Sequence, residues 1–188
     1  MGLVSDSIGV TGEDTHEQLV DRTINAADNV LWTYKAHFEA ADSFSNRSRR
    51  LDLGTTIGAA LVTMALVWGE FPDFTIGVAI LTAVISGYKT ATEPRKKADS
   101  NYRAGEAYHK LFNLYCDFIA LELQKDPPDV DALRCRYEKL EERRRELNDD
   151  MPNLHRKWYD NLDESIYEEI RTTESAKNHL MNCCGDSE

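Results

Sequence analysis

Hydroxyl-bearing and small side chains recur at helical intervals along one stretch of this sequence. Thr75, Ala79, Thr82, Ser86 and Thr90 follow steps of 4, 3, 4 and 4, which place them on one helix face. Thr56, Ala59 or Ala60, and Thr63 repeat the pattern on a preceding stretch. In several copies of the chain, such a stripe could line a narrow wet path. It could equally pack helices tightly and dry, with each hydroxyl bonded to its own backbone four residues back. Thr56, Thr63, Thr75, Ala79, Thr82 and Ser86 are therefore candidate pore-lining residues. Gly54 and Gly58 form a GxxxG match that favours close helix approach.

Bond-making chemistry has no comparable pattern. There is no Gly-rich phosphate loop, no GxSxG elbow and no HExxH. Five histidines, His16, His37, His109, His155 and His179, are scattered over different segments. Tyr108-His109 beside Glu106 could form a small acid-base site, but a surface or interhelical hydrogen-bonding role suits His109 better. Cys116, Cys135, Cys183 and Cys184 contain no CxxC pair, and Cys183-Cys184 lacks nearby ligands at zinc-site spacing. The sequence predicts no enzyme, no cofactor and no metal.

The striped stretches are two apolar runs in an otherwise hydrophilic chain. Residues 53–69 are 17 residues without a formal charge, and residues 74–88 are 15 more. Only Glu70-Phe71-Pro72-Asp73 separates them. At about 1.5 Å per residue the first helix would be roughly 25 Å long. A hydrocarbon core is about 30 Å thick and needs about 17 residues at the lower limit. Arg47, Arg49 and Arg50 precede the first run, and Lys89, Arg95, Lys96 and Lys97 follow the second, whereas the tip carries only Glu70 and Asp73. Lys and Arg collect on the cytoplasmic side of short loops. The pattern predicts a two-helix transmembrane hairpin with both termini cytoplasmic and an acidic tip outside. Trp68, Phe71 and Phe74 at the tip and Tyr88 at the other end suit the two interfaces. In an oligomer, Glu70 and Asp73 would ring the outer mouth and Lys89 the inner one.

The formal net charge is −11, divided as −3, −2 and −6 over residues 1–50, 51–92 and 93–188. That balance argues against a broad nucleic-acid surface, which needs clustered cations. No cleaved leader is expected, because the first fifty residues are polar and the first apolar run begins late.

Residues 1–50 are expected to hold a disordered start and a helix from about Thr15. Residues 51–92 would be the hairpin, and residues 93–188 a cytoplasmic helical region. Glu93-Pro94 marks a break and a candidate hinge or gate, since proline disfavours helix at the residue before it. A third helix is predicted over 95–124, with a broad apolar face from Tyr108 to Leu121. A fourth spans about 129–147. There Val130, Leu133, Tyr137, Leu140, Arg144 and Leu147 follow the 3-4 spacing of a helical hairpin or coiled coil, with Arg144 the polar exception. Gly54, Gly58, Leu133, Tyr137, Leu140 and Leu147 are the candidates for packing between copies. A last helix is predicted from about Asn153, carrying Leu154, Trp158, Leu162, Ile166 and Ile170. No segment has strand alternation, so the fold class is all-α.

The order of these pieces resembles the SLATT family, the SMODS- and SLOG-associating two-transmembrane effectors of prokaryotic conflict systems. The likeness covers about residues 25–155. It rests on Leu31-Trp32-Thr33-Tyr34-Lys35-Ala36-His37-Phe38 before the hairpin and on two short adjacent apolar helices. After them comes Ala98-Asp99-Ser100-Asn101-Tyr102-Arg103-Ala104-Gly105-Glu106-Ala107-Tyr108-His109-Lys110-Leu111, then the 140–147 helix and Met151-Pro152. The resemblance implies a pore-forming effector of the inner membrane, acting against phage and encoded with a nucleotide-second-messenger synthase, a nucleotide sensor or a reverse transcriptase. It carries over no catalytic residues. It implies membrane lipids, further copies of the chain, and a cytoplasmic signalling partner or nucleotide second messenger as partners. A membrane-anchored scaffold that recruits a cytoplasmic partner without conducting ions is the competing expectation.

Overall fold

Charged and apolar residues alternate at helical intervals from Thr15 to Arg50, with no Gly or Pro to interrupt them, and the chain there forms a helix that does not stop at the apolar run. In the computed structural model, which describes residues 12–68, 72–125 and 129–163, α1 runs unbroken over Gly12–Trp68. α2 spans Pro72–Thr92, α3 Pro94–Asp117, α4 Val130–Asp150 and α5 Lys157–Asp160. A π-helical turn, Phe118–Glu122, extends α3. Every regular element among the described residues is helical.

The chain divides into two units. One takes the described residues up to Ala36 and those from Ala104 onward, and the other is His37–Arg103. α1 and α3 supply residues to both. In the first unit, Leu19, Thr23, Ala27, Val30, Leu31 and Tyr34 of α1 are buried, as are Tyr108, Leu111, Phe112, Tyr115 and Phe118 of α3 and its π turn. The broad apolar face predicted on the third helix is thus largely covered within the chain, leaving Leu114 and Leu121 exposed. From α4 the covered residues are Leu133, Leu140 and Leu147, no more than 6% exposed. These leucines recur every seven residues, so one stripe of α4 faces the unit and its charged faces meet solvent. Asp129 caps α4 by accepting from the Ala132 N–H at 3.1 Å.

Polar pairs tie α3 to α4. The Tyr115 hydroxyl donates to Glu141 Oε1 at 2.7 Å, and Arg144 Nη2 donates to Glu141 Oε2 at 2.7 Å. The exception in the α4 seam is thereby explained: Arg144 neutralises the carboxylate that receives the buried tyrosine. The Tyr108 hydroxyl donates to Asn148 Oδ1 at 2.7 Å. Burial pushes the Tyr108 phenol up to about 12 and raises Tyr115 further, the latter aided by its bond to Glu141.

The last predicted helix differs. Residues 153–156 are not helical, and a single turn follows at Lys157–Asp160, with Trp158 buried. Met151, held extended at φ −93°, ψ 155°, precedes Pro152. A pre-proline residue avoids helix, and restarting one costs a new nucleus. Ile166 and Ile170 lie outside the described residues.

Candidate functional site

α2 is 21 residues long and buries none of them. At about 1.5 Å per residue it measures about 31 Å, close to the thickness of a hydrocarbon core. The apolar windows of α1 and α2 are both long and apolar enough to cross a membrane, and almost none of the first and none of the second is buried by the chain. Leu66, Val67 and Trp68 at the end of α1 and Ile76, Ile80, Leu81 and Val84 of α2 stand exposed. A soluble helix of this composition would turn those residues inward.

The two helices meet antiparallel along a narrow seam. Asp52 pairs with Lys89. Gly54 lies so that an added Cβ would come 3.9 Å from Ile85 Cδ1. A Cβ at Gly58 would fall 3.2 Å from Thr82 Cβ and overlap its hydroxyl. Gly58 is therefore a true close approach, which only a hydrogen allows. Val62 and Ala65 on α1 and Thr75 and Val78 on α2 are the half-covered positions that continue the seam. Beyond its polar end, the Arg47 guanidinium sits 5.3 Å from the Tyr88 ring centre, within cation–π range.

This register splits the predicted stripe. Thr75 and Thr82 are half-covered in the α1–α2 seam, whereas Ala79, Ser86 and Thr90 are exposed beside it. Thr56 and Thr63 are exposed on α1. The hydroxyls of Thr56, Thr63, Thr82 and Thr90 donate to the carbonyls of Asp52, Ala59, Val78 and Ser86 four residues back, at 2.8–3.0 Å. Lys89 is not an isolated cation at the base of the hairpin, because Asp52 offsets it. Asp73 is exposed in the first turn of α2, and Glu70 lies outside the described residues.

Several residues proposed for packing between copies are covered within one chain. Gly58, Leu133, Leu140 and Leu147 are buried, and Gly54 and Tyr137 are half-covered. Their cover comes from the same chain and needs no second copy.

Glu93 is a sharp break. Its φ is +43°, a left-handed value that costs a residue with a Cβ about 1–2 kcal/mol. Its N–H closes α2 on the Lys89 carbonyl, and its carbonyl accepts the Lys97 N–H of the first turn of α3, both at 3.1 Å. Pro94 occupies the first position of α3, where its missing N–H leaves no bond unmade. Nearby, His37 and Asn101 are buried together. Asn101 Nδ2 donates to the Lys97 carbonyl at 2.8 Å, which turns its Oδ1 toward His37 Nδ1 at 3.1 Å. Burial lowers the His37 pKa, outweighing the Asn101 bond that raises it. Composition carried no sign of this pair.

The acid-base group suggested by Tyr108-His109 and Glu106 is not assembled. The Tyr108 hydroxyl is bonded to Asn148, while the exposed His109 ring lies 4.9 Å from that of Tyr34. The run Arg143-Arg144-Arg145 is held by its own helix: Arg143 pairs with Glu146, Arg144 with Glu141, and Arg145 donates to the Glu141 carbonyl. An open cleft of about 400 Å³ in the first unit is lined by Thr15, Gln18, Leu19, Arg22, Val130, Arg134, Tyr137 and Glu138. Arg134 and Glu138 pair across its edge at 3.3 Å. Cys183 and Cys184 lie outside the described residues.

Comparison of the chain with family models, with curated proteins and with solved structures finds no match.

Proposed function

We propose that the chain is a membrane effector whose hairpin spans the inner membrane of a prokaryote, both termini cytoplasmic, and whose copies assemble into an ion-conducting pore. The observation that carries this reading is the inverted hairpin: a narrow seam of Gly, Thr and one ion pair, with large apolar side chains outside. In lipid, helices associate through small residues and hydroxyls, because the surroundings are as apolar as leucine. Two helices cannot enclose water, so a path needs several copies. Of the predicted pore-lining residues, Thr56, Thr63, Ala79 and Ser86 are exposed and remain for it. Thr75 and Thr82 serve the seam instead.

Such a pore would suit the antiviral defence role that the resemblance to SLATT proteins implies, with a nucleotide second messenger or a cytoplasmic signalling protein as its trigger. The cleft beside Arg22 and Tyr137 has room for a small signal, and the Glu93–Pro94 break is the candidate gate. The competing scaffold reading draws on Leu114 and Leu121, apolar and exposed on α3 and its π turn.

Ion flux from liposomes separates the two. A pore gives flux from a defined oligomer, and Ser86→Leu lowers it by about tenfold or more at unchanged oligomer size, as plugging a narrow path should. A scaffold gives no flux with any trigger and keeps its function when an unrelated hairpin replaces this one.

A further inference from the structure

We infer that the base of the hairpin is a binding collar for anionic phospholipid headgroups, formed by Arg49 and Arg50 on α1 and by Arg95 and Lys97 on α3; the inference rests on the membrane reading above. The chain carries a net −11, yet seven cations stand within a few residues of the hairpin's base: Arg47, Arg49, Arg50, Lys89, Arg95, Lys96 and Lys97. The structure sorts them. Asp52 takes Lys89, Glu93 takes Lys96 at 3.3 Å, and Arg47 lies against Tyr88. Arg49, Arg50, Arg95 and Lys97 are exposed and form no direct ion pair among the described residues, although the Arg95 charge reaches Asp52 through space.

Their height is right for headgroups. Arg49 and Arg50 immediately precede the apolar part of α1, and Arg95 and Lys97 lie in the first turn of α3, directly after the Glu93 break that ends α2. The interfacial region of a leaflet is about 5–8 Å thick. Guanidinium groups bind phosphate oxygens in bidentate fashion, and a cluster of them favours phosphatidylglycerol, whose phosphodiester charge is uncompensated, over phosphatidylcholine, whose quaternary ammonium cancels the same charge. Each cation near such a surface contributes about 1 kcal/mol of attraction. Lys89, already engaged by Asp52, adds nothing to the lipid and holds the hairpin together.

The test uses the full chain reconstituted in vesicles of equal phosphatidylcholine and phosphatidylglycerol, re-extracted in detergent, with the co-purified lipid weighed by mass spectrometry. The expected result is phosphatidylglycerol enriched about fivefold or more. The combined variant Arg49→Gln, Arg50→Gln, Arg95→Gln, Lys97→Gln brings it within about twofold of parity. A matched variant, Lys139→Gln, Arg143→Gln, Arg145→Gln, Lys157→Gln, keeps the enrichment although it removes as much charge. Equal retention of both lipids by the unaltered chain overturns the collar, and so does an equal loss in both variants. If the collar variant does not fold, salt decides. Enrichment by the unaltered chain must fall at about 1 M, where the Debye length is about 3 Å, and its persistence overturns the proposal. Release of the chain by alkaline carbonate from vesicles of phosphatidylcholine alone overturns the membrane reading itself, whereas retention there without anionic enrichment overturns only the collar.

Discussion

α2 and α4 are each 21 residues long, and each presents a seam that repeats every seven residues. In α4 the repeat is Leu133, Leu140, Leu147, buried, with charge on every other face. In α2 it is Thr75, Thr82, Lys89, half-covered, with isoleucine, leucine and valine outside. On the proposed membrane reading, the same spacing serves opposite surroundings. Water drives leucine into a seam, whereas an apolar solvent leaves only close contact and polar pairing to hold one.

The sharpest way to break this contrast is to truncate one apolar residue from each helix. Leu140→Ala should cost about 2–5 kcal/mol, the range for a buried leucine. Ile80→Ala, at a site 61% exposed, should leave thermal unfolding in detergent nearly unchanged. Equal losses would mean that the α2 surface packs on protein rather than on lipid or detergent.

The α2 seam can be attacked from its small side. Gly58→Leu forces a side chain into Thr82 and should destabilise the hairpin by about 1–3 kcal/mol, as overpacking does. Gly77→Leu meets nothing within 4 Å and should be tolerated. Melting curves of the two in one detergent check the claim, and a neutral Gly58→Leu would remove the seam.

The smallest effect is a pH dependence from the second unit. Burial holds the His37 pKa below its ordinary 6.5, so the unfolded chain takes up this proton first as pH falls. The stability contributed by neutral His37 is full above about pH 6.5 and is lost as pH drops through its lower folded value. The melting temperature should fall between about pH 7.5 and 5.5, and less so in His37→Gln. An identical decline in both would assign the effect to other groups.

Much of this was legible in the residues. Charge-free runs and flanking cations mark the two apolar helices, and seven-residue leucine spacing marks the α4 stripe, because both patterns belong to a single helix. Proline after Glu93 marks the break. Partition of the hydroxyl stripe was not legible: periodicity puts Thr82 and Ser86 on one face, but only the neighbour's register decides that Gly58 covers Thr82 and leaves Ser86 open. The same holds for Lys89, whose partner lies 37 positions earlier in the sequence. The π turn at Phe118–Glu122 has no sequence period of its own, and the helix expected from Asn153 rested on four-residue steps that Pro152 outweighs.

The Asp52–Lys89 pair has one more consequence. Gly58 would accept Thr75 nearly as well as Thr82, so a seam of glycine and threonine alone is degenerate: α2 could slip by two turns and still mesh. That slip would set Asp52 against Thr82 and part the two charges that the present register pairs. A single ion pair at one end therefore acts as a key that admits one alignment, and Lys89→Leu would turn a hairpin with one setting into a mixture of two.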